Sequence, residues 1–219
     1  MKIITCFDTE TTGLNPMKER VVQLSWITYN IYTNTIQTKH NYIIRIEDDD
    51  VIMSPESENI HGISMERSKK DGKPIKPILN MLADDIRKSK EIVGHNIGFD
   101  IGMLEQEYKR NDVTSPFTLI KNNRVYCTMQ NSRQLCKLPF RSKQDESPYF
   151  LKRHPYYKQP KLIELHEYLF GKLYRVNEDG LHDALNDVLI TIHCYVMLKH
   201  NMDLFTICPD YFTRILTNK

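Results

Sequence analysis

Acidic residues in an apolar setting occur at three separated places in this sequence. Asp8 and Glu10 follow the apolar run at residues 3–7, and residues two apart in a strand point to the same face. Asp100 and Asp187 each lie close to the start of a segment with helical apolar spacing. Carboxylates held among apolar residues are costly unless they are paired or bind a cation.

These carboxylates have the chemistry of a metal site. Convergence from three distant segments predicts binding of hard divalent cations, because oxygen ligands suit Mg²⁺ or Mn²⁺. Two such ions about 3.5–4 Å apart activate water and stabilise the leaving oxygen of a phosphodiester. For Asp8 and Glu10 alone a solvated turn is the simpler interpretation, and Asp100 alone would complement a helix dipole.

Four segments together resemble the DEDDh group of 3′→5′ exonucleases in the RNase H-like superfamily, which includes the DnaQ-like, epsilon-type subunit of bacterial DNA polymerase III. They occur in the family's order and are FDTETTGL (7–14), HGI (61–63), HNIGFDIGML (95–104) and LHDALNDV (181–188). One such motif is a weak signal, whereas four in order span nearly the whole chain. The resemblance implies a metal-dependent 3′→5′ exonuclease that hydrolyses single-stranded or frayed DNA 3′ ends and releases nucleoside 5′-monophosphates.

The resemblance also implies catalytic roles. Asp8, Glu10, Asp100 and Asp187 would ligate two divalent metal ions, Mg²⁺ or Mn²⁺, and His182 would be the general base. A histidine pKa suits proton transfer near neutral pH. His182 precedes Asp187 by five residues, a spacing that would place the two side chains about 140° apart around a helix. We therefore expect His182 on the loop before the helix that contains Asp187. The neighbouring Asp183 is interpreted as a variable, solvated position, with a supporting role left open.

Other residues match family positions that contact the substrate. Thr11 and Leu14 match positions that hold the 3′-terminal nucleotide, and Asn96 and Phe99 match positions that contact the nucleic-acid strand. His61 belongs to the HGI motif and would line the site. Three simpler interpretations stay open, namely Thr11 as a cap, Leu14 as a core residue and His61 as a packing residue.

Residues 137–160 interrupt the regular pattern. This segment has four prolines, five aromatic residues and a net charge of +4, whereas the whole chain has +2. Cationic groups interleaved with aromatic rings suit single-stranded nucleic acid, although charges in a surface loop also serve solubility. We interpret the segment as a substrate-binding insertion, with Lys152, Arg153 and Tyr157 as candidate contacts.

The apolar periodicity predicts an α/β fold. Strands are expected at 3–8, 20–30, 36–46, 92–95 and 125–127, and helices at 76–89, 98–109, 129–135, 161–170 and 183–200. Residues 54–66 are expected to be irregular with one helical turn, and 201–219 is ambiguous. The resemblance implies an RNase H-like mixed five-stranded sheet, with a three-strand antiparallel meander plus parallel strands, flanked by helices. We expect a single exonuclease domain over residues 1–219.

Composition indicates the class of protein and its expected cellular compartment. The chain has 219 residues, 40% hydrophobic and 26% charged, which is ordinary for a soluble globular domain. No apolar run reaches membrane-spanning length, the N-terminus lacks the pattern of a secretory signal, and the five cysteines form no CxxC pair. We therefore expect an intracellular protein of a reducing cytoplasm or nucleoplasm.

The expected partner is the 3′ end of single-stranded DNA. The motifs do not separate DNA from RNA, so a 3′→5′ exoribonuclease is an alternative. A non-catalytic nucleic-acid-binding module is disfavoured, because all five catalytic-type residues are present. The resemblance allows a polymerase partner, but the sequence shows no separate polymerase-binding tail, which favours a stand-alone enzyme.

Overall fold

A five-stranded mixed sheet forms the centre of the protein. The computed structural model describes residues 2–120, 124–139, 157–177 and 183–218. The strand order is β3-β2-β1-β4-β5, in which β1 (Ile3–Thr11), β2 (Val21–Asn30) and β3 (Thr35–Ile43) are antiparallel. The shorter β4 (Glu91–Gly94) and β5 (Val125–Cys127) run parallel to β1. The predicted RNase H-like mixed sheet flanked by helices is therefore confirmed.

Helices connect and cover these strands. Their bounds are α1 Pro55–His61, α2 Met65–Asp71, α3 Ile75–Lys88, α4 Ile97–Arg110, α5 Thr128–Cys136, α6 Leu162–Phe170, α7 Ala184–His200 and α8 Leu204–Ile207. A small two-stranded antiparallel sheet of β6 (Tyr174–Val176) and β7 (Leu216–Asn218) lies outside the main sheet. Among the helices of the described residues, none is long and apolar enough to cross a membrane.

The sheet separates two apolar cores. One core packs the sheet against α3 and α4 and contains Phe7, whereas the other packs it against α6 and α7 and contains Cys6. Successive side chains of a strand point to opposite faces. Asp8 and Glu10 therefore share the face of Cys6, which is the face that α7 covers.

Two regions differ from the sequence-based expectation. The segment 54–66, expected to be mostly irregular, contains α1 and the start of α2. Both helices begin at a serine cap, since Ser54 Oγ accepts from the Ser57 backbone N–H and Ser64 Oγ accepts from the Arg67 N–H. The ambiguous tail forms α8 and the strand β7.

The two ends of the predicted insertion lie side by side. Pro139 and Tyr157 form an isolated antiparallel bridge, and the Lys158 backbone N–H donates to Leu138 O at 2.9 Å. Residues 140–156 lie outside the described residues. That this segment is an insertion within a single domain stays a prediction.

Candidate active site

Three carboxylates meet at the end of β1. One oxygen from each of Asp8, Glu10 and Asp187 lies within 4.8 Å of the other two, and all three side chains are half-buried. Asp8 and Glu10 come from β1, and Asp187 comes from the first turn of α7. The structure thus brings together three of the four carboxylates expected to bind metal, which we call the carboxylate triplet.

Asp100 lies nearby but has its own hydrogen bonds. It is only 3% exposed and belongs to the first turn of α4. Its Oδ1 accepts hydrogen bonds from the Thr9 backbone N at 3.0 Å and from Thr9 Oγ1 at 2.7 Å. The last β4 residue paired with β1 is Val93, opposite Cys6. The edge of β1 at Thr9 is therefore left open for Asp100.

The carboxylates of the site strongly perturb one another. Burial, reinforced by Asp187 and Asp100, raises the pKa of Glu10 to about 9. Burial, with repulsion from Asp100 and Asp187, also raises the pKa of Asp8 well above its usual range. The pKa of Asp100 rises to about 7, because burial outweighs the opposing hydrogen bonds from Thr9. Each raised pKa means that an ionised carboxylate at this place needs a positive charge beside it.

The donor set fits a hard divalent cation. The carboxylate triplet supplies three close oxygen ligands from two rigid elements, which is the ligand type that Mg²⁺ and Mn²⁺ prefer. A divalent cation would offset the repulsion that raises these pKa values. Asp100 adds a fourth carboxylate close enough to raise the pKa of Asp8.

Asp183 starts the helix that carries Asp187. It is the N-cap of α7, and its Oδ1 accepts from the backbone N–H groups of Leu185 at 3.1 Å and Asn186 at 3.3 Å. The expectation of a solvated side chain is therefore wrong, since the side chain is half-buried. The cap is the supporting role that the sequence left open. An aspartate directly before an apolar helical pattern is the N-cap signal that identifies this role.

Gln23 joins β2 to this helix cap, and sequence reasoning missed it. The side chain is buried, and its Nε2 donates to Asp183 Oδ2 and to Asn41 Oδ1, both at 2.9 Å. Its Oε1 accepts from the Ala184 backbone N–H at 3.3 Å. Gln23 is also opposite Glu10 in the strand register. One amide therefore connects the strand beside Glu10 to the start of α7.

The residues predicted to contact the terminal nucleotide follow the carboxylate triplet at the end of β1. Leu14 is 83% exposed, so its interpretation as a core residue is wrong. Thr11 is the last residue of β1, and its Oγ1 donates to Gly13 O at 2.8 Å. His61 Nδ1 accepts from the Ile63 N–H at 3.1 Å, so its Nε2 carries the proton and donates to the Thr11 carbonyl at 3.3 Å. An apolar side chain in solvent beside these polar groups is suited to contact a base.

The cap and the first turn of α4 carry two further candidates. Asn96 is exposed and has a left-handed backbone, with φ 65°, whereas Phe99 is half-buried against the α3–α4 core. The neighbouring His95 donates through Nε2 to Pro160 O at 3.0 Å and contacts Thr128 Oγ1 through Nδ1 at 2.9 Å. Burial lowers the pKa of His95 to about 4, so this histidine is a neutral structural link.

The remaining candidates are only partly located. Tyr157 is half-buried, and its backbone carbonyl accepts from Arg133 Nε at 2.6 Å, while its side chain stays a predicted contact. Lys152, Arg153 and the predicted general base His182 lie outside the described residues. Lys158, one of the basic residues of the insertion, is neutralised by Glu164 at 2.6 Å.

Comparison with known proteins identifies one family. The profile of the RNase_T family, described as exonuclease, matches residues 5–195. The match includes all four carboxylates, which come from one strand and two helices, and it supports the resemblance to DnaQ-like exonucleases that the motifs predicted.

Two curated relatives are distant in sequence. The chain is 24% identical over 193 residues to a PolC-type DNA polymerase III of Latilactobacillus sakei, which covers 83% of this chain and 10% of that protein. It is 24% identical over 188 residues to the DNA polymerase III epsilon subunit of Buchnera aphidicola, which covers 81% of this chain and 75% of the subunit. The chain therefore spans only about a tenth of the first relative's length.

Solved structures share the fold. Escherichia coli exonuclease I in complex with a dT13 oligonucleotide superposes with a TM-score of 0.69 at 19% identity, covering 97% of this chain and 44% of that one. An exonuclease I from Methylocaldum szegediense gives a TM-score of 0.66 at 20% identity, covering 94% of this chain and 43% of that one. The chain spans less than half of each, so these structures establish the fold alone.

Proposed function

Because this chain belongs to the RNase_T exonuclease family, we propose that it is a metal-dependent 3′→5′ exonuclease that acts on single-stranded DNA. Hydrolysis of the terminal phosphodiester would release nucleoside 5′-monophosphates. The observation that carries this proposal is the carboxylate triplet, whose oxygens lie within 4.8 Å of one another. DNA is favoured over RNA by two similar proteins, the epsilon subunit of a DNA polymerase and an exonuclease bound to dT13.

The chain's own residues would act by holding charge and by moving one proton. Asp8, Glu10, Asp100 and Asp187 would hold two divalent ions, Mg²⁺ or Mn²⁺. When bound, such ions lower the pKa of water and stabilise charge on a phosphodiester. Asp8 and Glu10 are fixed by their strand, and Asp187 is fixed by a capped helix, so little reorganisation is needed during the reaction.

His182 is our candidate for the general base. It would take the proton of the attacking water, as its ordinary pKa range permits near neutral pH. Its place in the sequence supports this role, since it directly precedes Asp183, the cap of the helix that carries Asp187. The cap fixes the chain next to His182 relative to the carboxylates.

The terminal nucleotide would lie over the end of β1. We propose that Leu14 packs against its base, because an 83% exposed leucine gains by covering apolar surface. The contact between His61 and the Thr11 carbonyl would hold this strand end in place. Asn96 and Phe99, together with Lys152, Arg153 and Tyr157 of the insertion, are our candidates for contacts along the strand.

The proposal extends to the organisation and the surroundings of the protein. We propose one exonuclease domain that contains the segment 137–160 as an insertion, supported by the bridge between the two ends of that segment. All five cysteines are free thiols, which supports a reducing intracellular compartment. A polymerase is the candidate protein partner, because two similar proteins are a PolC-type DNA polymerase III and an epsilon subunit of DNA polymerase III.

A cleavage assay tests the proposal. Single-stranded DNA and RNA of one sequence, labelled at the 5′ end, are incubated with the protein in Mg²⁺, in Mn²⁺ or in chelator. We expect metal-dependent shortening from the 3′ end, faster on DNA, and loss of activity by at least about a hundredfold in Asp8→Asn. Asp50→Asn, which changes an exposed acid elsewhere, is the matched control. Equal activity of wild type and Asp8→Asn would refute the proposal, and faster cleavage of RNA would identify an exoribonuclease.

A further inference from the structure

A groove of about 350 Å³ lies beside the candidate active site. It runs between β3, the first turns of α7 and the segment that follows α8. Leu185 and Leu189 of α7 line it with apolar surface, and Lys39, Tyr211 and Arg214 line it with two cations and an aromatic ring. Of these five residues only Leu185 belongs to a motif that indicated the family.

The groove opens on the same face of the sheet as the carboxylate triplet. Lys39 is paired with Ile27, and Ile27 is paired with Cys6, so Lys39 points to the face of Asp8. The Cα atoms of Lys39 and Asp8 are separated by two residues along the strand direction and by two strands across the sheet. Standard strand spacings convert this separation to about 12 Å. The groove also borders α7, which carries Asp187. A strand held at the triplet therefore reaches the groove within a few nucleotides.

The cations of the groove are available to bind an anion. Lys39 and Arg214 are both exposed, and neither forms an ion pair with any residue that the structure describes. Asp210 also lines the groove, but it is paired with neither cation. Lys39 Nζ lies 5.7 Å from the ring centroid of Tyr211, so a ring and a charge are presented together.

We propose that this groove binds the backbone of the single-stranded nucleic acid upstream of the nucleotide held at the carboxylate triplet. Lys39 and Arg214 contact phosphates, and Tyr211 stacks on a base, a combination typical of single-strand binding. The inference rests on the proposed exonuclease function and assigns a part of the chain, the segment after α8, to substrate binding. It also predicts that long strands are better substrates than short ones.

Salt dependence of binding tests the inference directly. A fluorescein-labelled dT10 oligonucleotide is titrated with the full chain in EDTA at several KCl concentrations, and binding is followed by fluorescence anisotropy. Each lost phosphate contact reduces the slope of log affinity against log salt by about 0.7 for a single strand. The double variant Lys39→Gln/Arg214→Gln is expected to lose about 1.4 from the slope. Tyr211→Leu is expected to weaken binding about tenfold with the slope unchanged.

Matched controls separate the groove from general charge effects. Lys70→Gln/Lys88→Gln removes two exposed lysines from α2 and α3, which do not line the groove, and it should leave the slope unchanged. An equal loss of slope in this control, or no loss in the groove variant, would overturn the inference.

A small substrate separates this inference from the proposed function. Thymidine 5′-monophosphate p-nitrophenyl ester has no upstream nucleotide, so the groove variant should hydrolyse it at the wild-type rate while KM for a 20-mer rises about tenfold. Equal losses on both substrates would overturn the inference. If the wild-type protein hydrolyses neither substrate, the proposed function fails, and the salt slopes still decide whether the groove binds the strand.

Discussion

Replacing Glu10 with glutamine should stabilise the metal-free protein at neutral and alkaline pH. Burial and the nearby carboxylates raise the pKa of Glu10 from 4.5 to about 9. Between these values the folded protein retains a proton that the unfolded chain has released. Stability therefore falls as the pH rises through this window, and glutamine, which cannot ionise, removes this fall.

The size of the effect follows from proton linkage. One group with a raised pKa costs at most about 1.4 kcal/mol of unfolding free energy per pH unit within the window. From pH 6 to pH 8 the wild type should lose up to about 2.7 kcal/mol relative to Glu10→Gln. For a chain of this size that is a relative shift in Tm of roughly 5–11 °C. Proton sharing with Asp8 and Asp100 brings the observed value below this limit.

Thermal melts in chelator at pH 6, 7 and 8 measure this difference. Glu66→Gln, at an exposed position of α2, is the matched control and should follow the wild type at every pH. Mn²⁺ at a hundred times its Kd should stabilise the wild type by about 2.7 kcal/mol for each ion bound, and the same concentration should stabilise Glu10→Gln less. A constant difference between Glu10→Gln and wild type across this pH range would refute the reasoning.

Three further substitutions test single residues of the proposed site. Gln23→Leu leaves the cap Asp183 without its buried donor, so we expect a loss of about 1–3 kcal/mol in urea unfolding and a lower kcat; unchanged kcat would contradict a positioning role. His182→Asn should lower kcat about 10²- to 10⁴-fold while the Mn²⁺-induced rise in Tm persists; loss of that rise would contradict its role as a base. Thr9→Val removes a hydrogen bond that lowers the pKa of Asp100, so the acidic limb of the pH–rate profile should move to higher pH, and a shift to lower pH would oppose this assignment.

The sheet and the places of the carboxylates were predictable because their signals are local. Strand alternation places Asp8 and Glu10 on one face whatever packs there, and the structure has them on the face covered by α7. Asp100 and Asp187 fall in the first turns of helices, as the apolar spacing indicated. Such features depend on a few neighbouring residues, so a single sequence contains them.

Contacts between distant segments were not predictable. Gln23 bonds to Asp183, which lies 160 residues away, and only the packing of α7 on the sheet brings them together. The small sheet of β6 and β7 pairs two distant strands of three residues each, and strands this short show no periodicity. The helix α1 is a different case, because its start signal is local. Ser54 followed by Pro55 is typical of a helix start, and the interpretation of residues 54–66 as irregular overlooked it.

The most direct test of the account is whether the carboxylate triplet makes hydrolysis depend on a divalent ion. Release of p-nitrophenol from thymidine 5′-monophosphate p-nitrophenyl ester would be measured against Mn²⁺ concentration for wild type and Asp187→Asn. The account predicts a wild-type rate that saturates with Mn²⁺ and vanishes in chelator, and a rate at least about a hundredfold lower in the variant. A wild-type rate that persists in chelator, or equal rates for the two proteins, would contradict it.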